Sequence, residues 1–275
     1  MTNQHLSATI LRGYVALPHG QVHLYSAGVE SSSHTVLCLH NYGRSGAVFT
    51  PVIADLARDR RVIAPDLPGF GESDRLPTDV TIEAHAAIII ELLSKLVTRP
   101  VDIVGFHVGT AVATEIAASH PELVHRLVLN GLPIFTESEV DAVLKLPLSA
   151  PPEPSGAHVA LAWNGSWNWA QNVVGWSGYA DPMELACRSF LDKTKAGSLA
   201  AHMVRAAVRY RFAERLALVQ QPVVVLCPKD DLWEQTQRSE AVLRNGRLIR
   251  WPDVGSGSVD VGEPRMLQAI HEHFD

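Results

Sequence analysis

The sequence predicts an α/β fold with a mostly parallel central sheet flanked by helices. Three observations carry that expectation. Five short apolar runs, Thr35-Val-Leu-Cys-Leu, Arg61-Val-Ile-Ala, Val101-Asp-Ile-Val, Leu127-Val-Leu and Val223-Val-Val-Leu, have the continuous texture of strands buried on both faces. Amphipathic helical patterns lie between them, and alternation of the two types points to a layered α/β domain. The chain has 275 residues, 47% hydrophobic and 19% charged, which suits one large core and excludes wholesale disorder.

Taken in order, residues 13–30 read as a hairpin. Gly13-Tyr-Val-Ala-Leu and Gln21-Val-His-Leu-Tyr flank the turn Pro18-His-Gly, and alternation puts Val22 and Leu24 on one face. Phe49–Ala57 carries Val52, Ile53, Leu56 and Ala57 on one helical face. Ile82–Val97 does the same with Ile82, Ala86, Ile89, Leu93 and Leu96. Thr110–Ser119 is small and apolar, and Arg265–Phe274 closes the chain with Met266, Leu267, Ile270 and Phe274.

One segment breaks the alternation. Pro147-Leu-Ser-Ala-Pro-Pro-Glu-Pro-Ser-Gly can continue neither strand nor helix. Trp163, Trp167, Trp169 and Trp176 follow, then a long helical pattern from Pro182 to Leu218, with no strand before Val223. Residues 134–214 therefore read as a helical cap inserted into a core of residues 1–133 and 215–275. A simpler reading is two crossover helices with a long loop. The tryptophan cluster favours a lid lining an apolar cleft, since surface loops rarely need so much aromatic area.

Charge and cysteine usage exclude several function classes. A net charge of −6, from 23 basic and 29 acidic residues, is wrong for a nucleic-acid partner, which needs a basic surface. Cys38, Cys187 and Cys227 are far apart without CxxC spacing, so neither a disulfide framework nor a thiolate zinc site is expected. Cys38 and Cys227 fall in strands and read as small buried hydrophobes. The opening MTNQHLSATILRGYV lacks a signal-peptide pattern, and no apolar stretch approaches the roughly 20 residues of a membrane span. A soluble, cytoplasmic protein is expected. His19 and His23, His120 and His125, and His271 and His273 lack metal-ligand geometry, and no H-E-x-x-H appears, so no metal is expected. Gly69-Phe-Gly71 lacks the third glycine of a dinucleotide fingerprint, so no cofactor is expected either. A homodimer is compatible with the sequence, which does not fix the oligomeric state.

The motifs along the chain resemble the α/β-hydrolase superfamily. Leu37-Cys-Leu-His40-Asn41-Tyr42-Gly43 resembles its oxyanion loop, and Val62-Ile-Ala-Pro-Asp66-Leu-Pro-Gly69-Phe-Gly71-Glu-Ser73 the loop after the next strand. Val101-Asp-Ile-Val-Gly105-Phe-His107-Val-Gly109 resembles the G-x-S-x-G nucleophile elbow. Val223-Val-Val-Leu-Cys-Pro-Lys-Asp230 resembles the turn that presents the acid, and Trp251-Pro-Asp-Val-Gly-Ser-Gly-Ser the turn that presents the histidine. The matches cover residues 13–133 and 215–275 in family order.

Two departures stand out. The elbow serine is replaced by His107, while Gly105 and Gly109 are kept, and histidine tolerates the positive φ that the elbow requires. The last loop has no histidine: depending on the anchor, its position falls on Ser256, Gly257 or Ser258. With Ser258 the serine and the histidine would have exchanged places. His271 and His273 lie too far along the terminal helix to serve.

A lone histidine is usually a surface or satisfied core residue, but an elbow side chain has little packing reason to be one. His107 is therefore the first candidate, and its place at a helix N-terminus predicts a neutral imidazole at pH 7. Asp230, favoured by spacing over Asp231, occupies the acid's position; its plain reading is a solvated turn residue. The resemblance assigns oxyanion N–H groups to Asn41 or Tyr42 and to Val108, with His40 supporting the loop. Asp66 and Ser73 read as turn residues. The expected function is an α/β-hydrolase-fold enzyme with a non-standard centre. It would act on a small apolar or aromatic carbonyl compound, with His107 as general base, Asp230 and Ser258 as catalytic partners, and the four tryptophans as walls. Hydrolysis and base-catalysed lyase, isomerase or cofactor-free oxygenase chemistry stay open, as does a catalytically silent ligand-binding protein.

Overall fold

The computed structural model describes residues 9–29, 34–75, 81–146, 148, 152–178 and 181–275. Part of the signal-peptide reading (residues 1–8) and part of the breaker-rich stretch (147 and 149–151) lie outside the described residues.

The hairpin forms from β1 (Leu11–Leu17) and β2 (Gly20–Ala27), paired antiparallel with Leu17 opposite Gly20. Then come β3 (Thr35–Leu39), β4 (Arg61–Pro65), β5 (Val101–Phe106), β6 (Val124–Asn130), β7 (Val223–Pro228) and β8 (Gly246–Trp251). The eight strands form one sheet in the order β1-β2-β4-β3-β5-β6-β7-β8. Only the two pairings of β2 are antiparallel. Strands β3, β5 and β7 are buried at every residue, as their unbroken apolar runs require. Strand β8 escapes the sequence pattern because it is an edge. Its Leu248 and Ile249 lie between Arg247 and Arg250, so it never makes a continuous apolar run.

Helices cover both faces. On one lie α1 (Thr50–Leu56) and α10 (Pro264–Phe274), packed through Val52, Ile53, Met266 and Ile270. On the other lie α2 (Ile82–Leu96), capped by the Thr81 side chain, and α3 (Val108–Ser119). Ten of the twelve α3 residues are buried, which explains why that helix is built from small residues.

Between β6 and β7 run α4 (Glu137–Leu144), α5 (Ala157–Ser177), α6 (Pro182–Ala196), α7 (Ser198–Arg209) and α8 (Phe212–Leu216), with α9 (Trp233–Gln237) after β7. A Thr136–Glu139 capping box starts α4. The single helical pattern read over Pro182–Leu218 is thus three helices. Gly197 adopts φ 56° and turns the chain between α6 and α7, a break that an amphipathic repeat does not reveal. No described helix is long and apolar enough to cross a membrane.

The turn from β5 into α3 controls the rest. His107 sits there at φ 47° and ψ −112°, and is the only non-glycine residue with positive φ among the described residues. Its N–H donates to Asn130 O at 2.8 Å, and its carbonyl accepts from Thr110 N at 2.8 Å and from the Thr110 hydroxyl. Gly109 lets α3 approach β3, since a Cβ there would lie 2.0 Å from Leu39 O. Gly109→Ala should therefore destabilise the fold by about 1–3 kcal/mol or more, the usual cost of overpacking. Urea denaturation checks it, and an unchanged midpoint would contradict the close approach.

Candidate functional site

The geometry of the site starts from His107. Its Nε2 lies 2.8 Å from Asp230 Oδ2. Asp230 is held in turn by Leu232 N, which donates to Oδ1 at 2.9 Å, so the carboxylate is fixed through both oxygens. The imidazole lies over Gly131, where a Cβ would come within 2.4 Å of its Cδ2, and beside the Phe106 ring at 4.5 Å between centroids. Only glycine at 131 leaves room for this ring, a requirement that no motif in the sequence announces. His107 Nδ1 has no hydrogen-bond partner among the described residues. Asp231, the neighbouring candidate, is exposed.

Electrostatics correct one expectation. Burial pulls the imidazole down, but Asp230, with Asp231 and Asp260 behind it, more than offsets that and raises His107 to about 9. At pH 7 the residue is an imidazolium and not the neutral ring expected from the helix N-terminus. A helix end offers a fraction of a charge, whereas Asp230 offers a full one at hydrogen-bond distance.

The loop after β3 is held by His40. Its Nε2 accepts from Leu67 N at 2.8 Å, which leaves the proton on Nδ1 to be donated to Asn41 O at 2.7 Å. Burial lowers His40 to about 4, so it is a neutral strut between two loops. Asp66 fixes the other side. It accepts from Gly46 N at 2.7 Å and Glu72 N at 2.9 Å, and pairs with His23 at 2.8 Å. Asn41 and Tyr42 line the cavity in front of His107. The Val108 side chain packs into the core, and its N–H, first in α3, has no intrahelical acceptor.

That cavity has a volume of about 320 Å³ and lies between the sheet, α5, α6 and the last loop. Of the four tryptophans, Trp169 lines it. Trp163 and Trp167 instead stack on each other, 6.4 Å apart at 13°, and Trp163 meets Phe190 edge-on at 5.6 Å, joining α5 to α6. Trp176 donates Nε1–H to Ser256 O at 3.0 Å and holds the last loop against α5. Ser256 and Gly257 line the cavity. The Ser258 hydroxyl instead accepts from Asn130 Nδ2 at 3.0 Å beneath it, 1% exposed. The structure brings His107 and Asp230 together and leaves Ser258 on another partner.

The lining residues not foreseen in the sequence include four that are polar or charged and lie outside its motifs: Arg44, Ser189, Lys193 and Asp260. Arg44 is 5% exposed, donates to Asp260 Oδ1 at 2.6 Å and to Asp192 Oδ2 at 3.3 Å, and lies 5.2 Å from the Trp169 ring centre. None of the four stands in a motif, and only folding collects them. The cleft expected to be apolar is aromatic on one wall and charged on the other. A larger groove of about 630 Å³ beside Tyr210 and Phe212 does not include His107. One cluster at the site has the spacing of metal ligands: His107, Asp230 and Asp231 offer atoms within 4.8 Å of one another. A divalent ion could sit there only by replacing the proton between Nε2 and Oδ2.

Comparison with known proteins agrees with this architecture. A family model described as alpha/beta hydrolase fold matches residues 34–152, which includes His107 but not Asp230. An uncharacterized protein of Mycobacterium tuberculosis is 35% identical over 137 residues, covering 45% of this chain and 40% of that protein. The 2-hydroxymuconate semialdehyde hydrolase of a Pseudomonas species is 34% identical over 119 residues, covering 39% of this chain and 42% of the enzyme. The matched region thus spans less than half the length of these curated relatives. A hydrolase structure from Pseudomonas aeruginosa superposes with a TM-score of 0.75 at 18% identity, covering 96% of this chain and 97% of that one. The sheet order, the turn at His107 and these likenesses lead to one conclusion: the chain has the α/β-hydrolase fold.

Proposed function

We propose that the chain is a hydrolase-like enzyme for a small carbonyl compound, with His107 as general base and Asp230 as its partner. One observation carries the reading: a histidine at the positive-φ turn donates Nε2–H to a fixed carboxylate and leaves Nδ1 free. In that arrangement Nδ1 takes a proton from a water molecule, and Asp230 stabilises the imidazolium that forms. The hydroxide adds to the carbonyl carbon, and the developing oxyanion faces the N–H of Val108 and the loop at Asn41 and Tyr42. Collapse of that intermediate expels the leaving group, which takes the proton back from His107. The helices α5 and α6 act as the cap, with Trp169, Phe106 and Tyr42 against the apolar part of the substrate. The likeness to a semialdehyde hydrolase supports a small carbonyl substrate.

A ligand-binding protein without turnover is the second reading. The cationic His107 at neutral pH favours it, because a ring already protonated must first lose that proton to act as a base.

His107→Ala should lower turnover of activated esters about 10²–10⁴-fold with little change in substrate affinity. Steady-state kinetics measures this, and full turnover in the variant would show the histidine to be a bystander. The pH profile is the second check. The active base is the deprotonated ring, so activity should climb with pH through a midpoint near 9 and then level off. Asp230→Asn removes the nearest negative charge and should move that midpoint downward while slowing the plateau. A midpoint that stays put would mean another group titrates. Ser258→Ala should cost little, since its hydroxyl is engaged by Asn130; a loss comparable to His107→Ala would instead place the serine in the reaction.

A further inference from the structure

Three cations line the cavity beside His107, and two of them are already paired inside the protein. His107 is bound to Asp230, and Arg44 to Asp192 and Asp260. The third is Lys193, on α6. Among the described residues its Nζ has no hydrogen-bond or ion-pair partner. The carboxylates around it do not supply one. Asp192 and Asp260 are held by Arg44, and Asp231 stands on the His107 side, with an oxygen within 4.8 Å of a nitrogen of that ring.

Lys193 is half-buried, and its stem lies against the loop after β3: a Cβ on Gly43 would sit 3.4 Å from its Cγ. Asn41 and Tyr42 of that loop line the same cavity. Burial first, and then the Arg44 charge, hold the ammonium below the usual lysine range, with Asp260 opposing them. The fold withdraws a cation from water without giving it a counter-charge, which is costly unless a ligand brings one. Unlike the unpaired oxygens of Asn41, Ser189 and Asp260, the Lys193 Nζ is not sealed off, so a ligand in the cavity can reach it.

We propose that the cavity takes carbonyl compounds that also carry a carboxylate, held by Lys193 Nζ. One ammonium matches a single negative charge, which favours a carboxylate over a phosphate. The aromatic wall at Phe106 and Trp169 takes the carbon skeleton. The inference names a substrate class for the site assigned to His107 and rests on that assignment for its link to catalysis. Binding itself does not depend on the chemistry, which lets the two be tested apart.

The probes are 4-oxo-4-phenylbutanoate and its primary amide, ketones of equal size that differ by one negative charge, with binding measured by calorimetry at pH 7. The full chain should bind the acid roughly 10–100-fold more tightly than the amide, the usual worth of a hydrogen bond between charged groups. Lys193→Met keeps the packed stem and removes the ammonium, so the acid should lose that advantage while the amide binds as before. Lys193→Arg restores the cation and should recover most of the preference. Misfolding would weaken both ligands alike, and Lys193→Gln, neutral and polar, repeats the test should Lys193→Met lose both. Equal binding of acid and amide by the unaltered chain, binding of neither, or a preference that the neutral variants leave intact overturns the proposal. Full ester turnover in His107→Ala, alongside a preference that depends on Lys193, overturns the catalytic reading alone.

Discussion

The approach of α3 to the sheet is the constraint from which the site follows. Gly109 brings the start of the helix against the Leu39 carbonyl, and the chain leaving β5 can enter it only through one sharp turn. Residue 107 bears that turn at φ 47°, a conformation that costs a non-glycine residue on the order of 1–3 kcal/mol. The hydrogen bonds donated to Asn130 O and accepted from Thr110 offset the strain locally, and the buried packing of α3 offsets the remainder. The side chain at 107 is consequently driven outward from the sheet at a helix N-terminus, whatever that side chain is.

What the geometry does with a histidine differs from what it does with a serine. A hydroxymethyl group is too short to reach β7's following turn, whereas the imidazole spans to Asp230 at 2.8 Å, over a floor kept clear by Gly131. The Asp230 carboxylate thus orients the side chain at the turn directly. The same contact that aims the ring also makes it cationic at neutral pH, because carboxylates outweigh both burial and the helix end. Aim and basicity are coupled, and neither can be changed without the other.

Around this pair the walls divide by element. The edge-on contact of Trp163 with Phe190 joins α5 to α6 and Trp176 ties α5 to the last loop, so much of the aromatic area serves packing between elements. The charged residues come from four separated stretches: Arg44 after β3, Asp192 and Lys193 on α6, Asp231 after β7, and Asp260 before α10. Arg44 joins three of them by bridging Asp192 and Asp260. Helix α6 is therefore joined to the loops after β3 and before α10 through the buried Arg44 side chain.

By itself, the sequence determined the α/β class, the hairpin, the five buried parallel strands, the amphipathic helices, and the turn with His107 at its apex. Each of those is a local matter. Apolar period reports burial, and glycines two residues either side of His107 report a close approach, so adjacent residues suffice. Strand β8 and the break at Gly197 lay beyond it, since an edge strand has no continuous apolar run and a single glycine does not disturb a helical repeat. Tertiary structure alone decided the pairing of His107 with Asp230, the loss of Ser258 to Asn130, and which tryptophan faces the cavity. It also decided that Arg44, Ser189 and Asp260 share a wall. Those relations join positions up to 216 residues apart, as with Arg44 and Asp260, and their energies depend on distance and burial in space, which no spacing along the chain encodes.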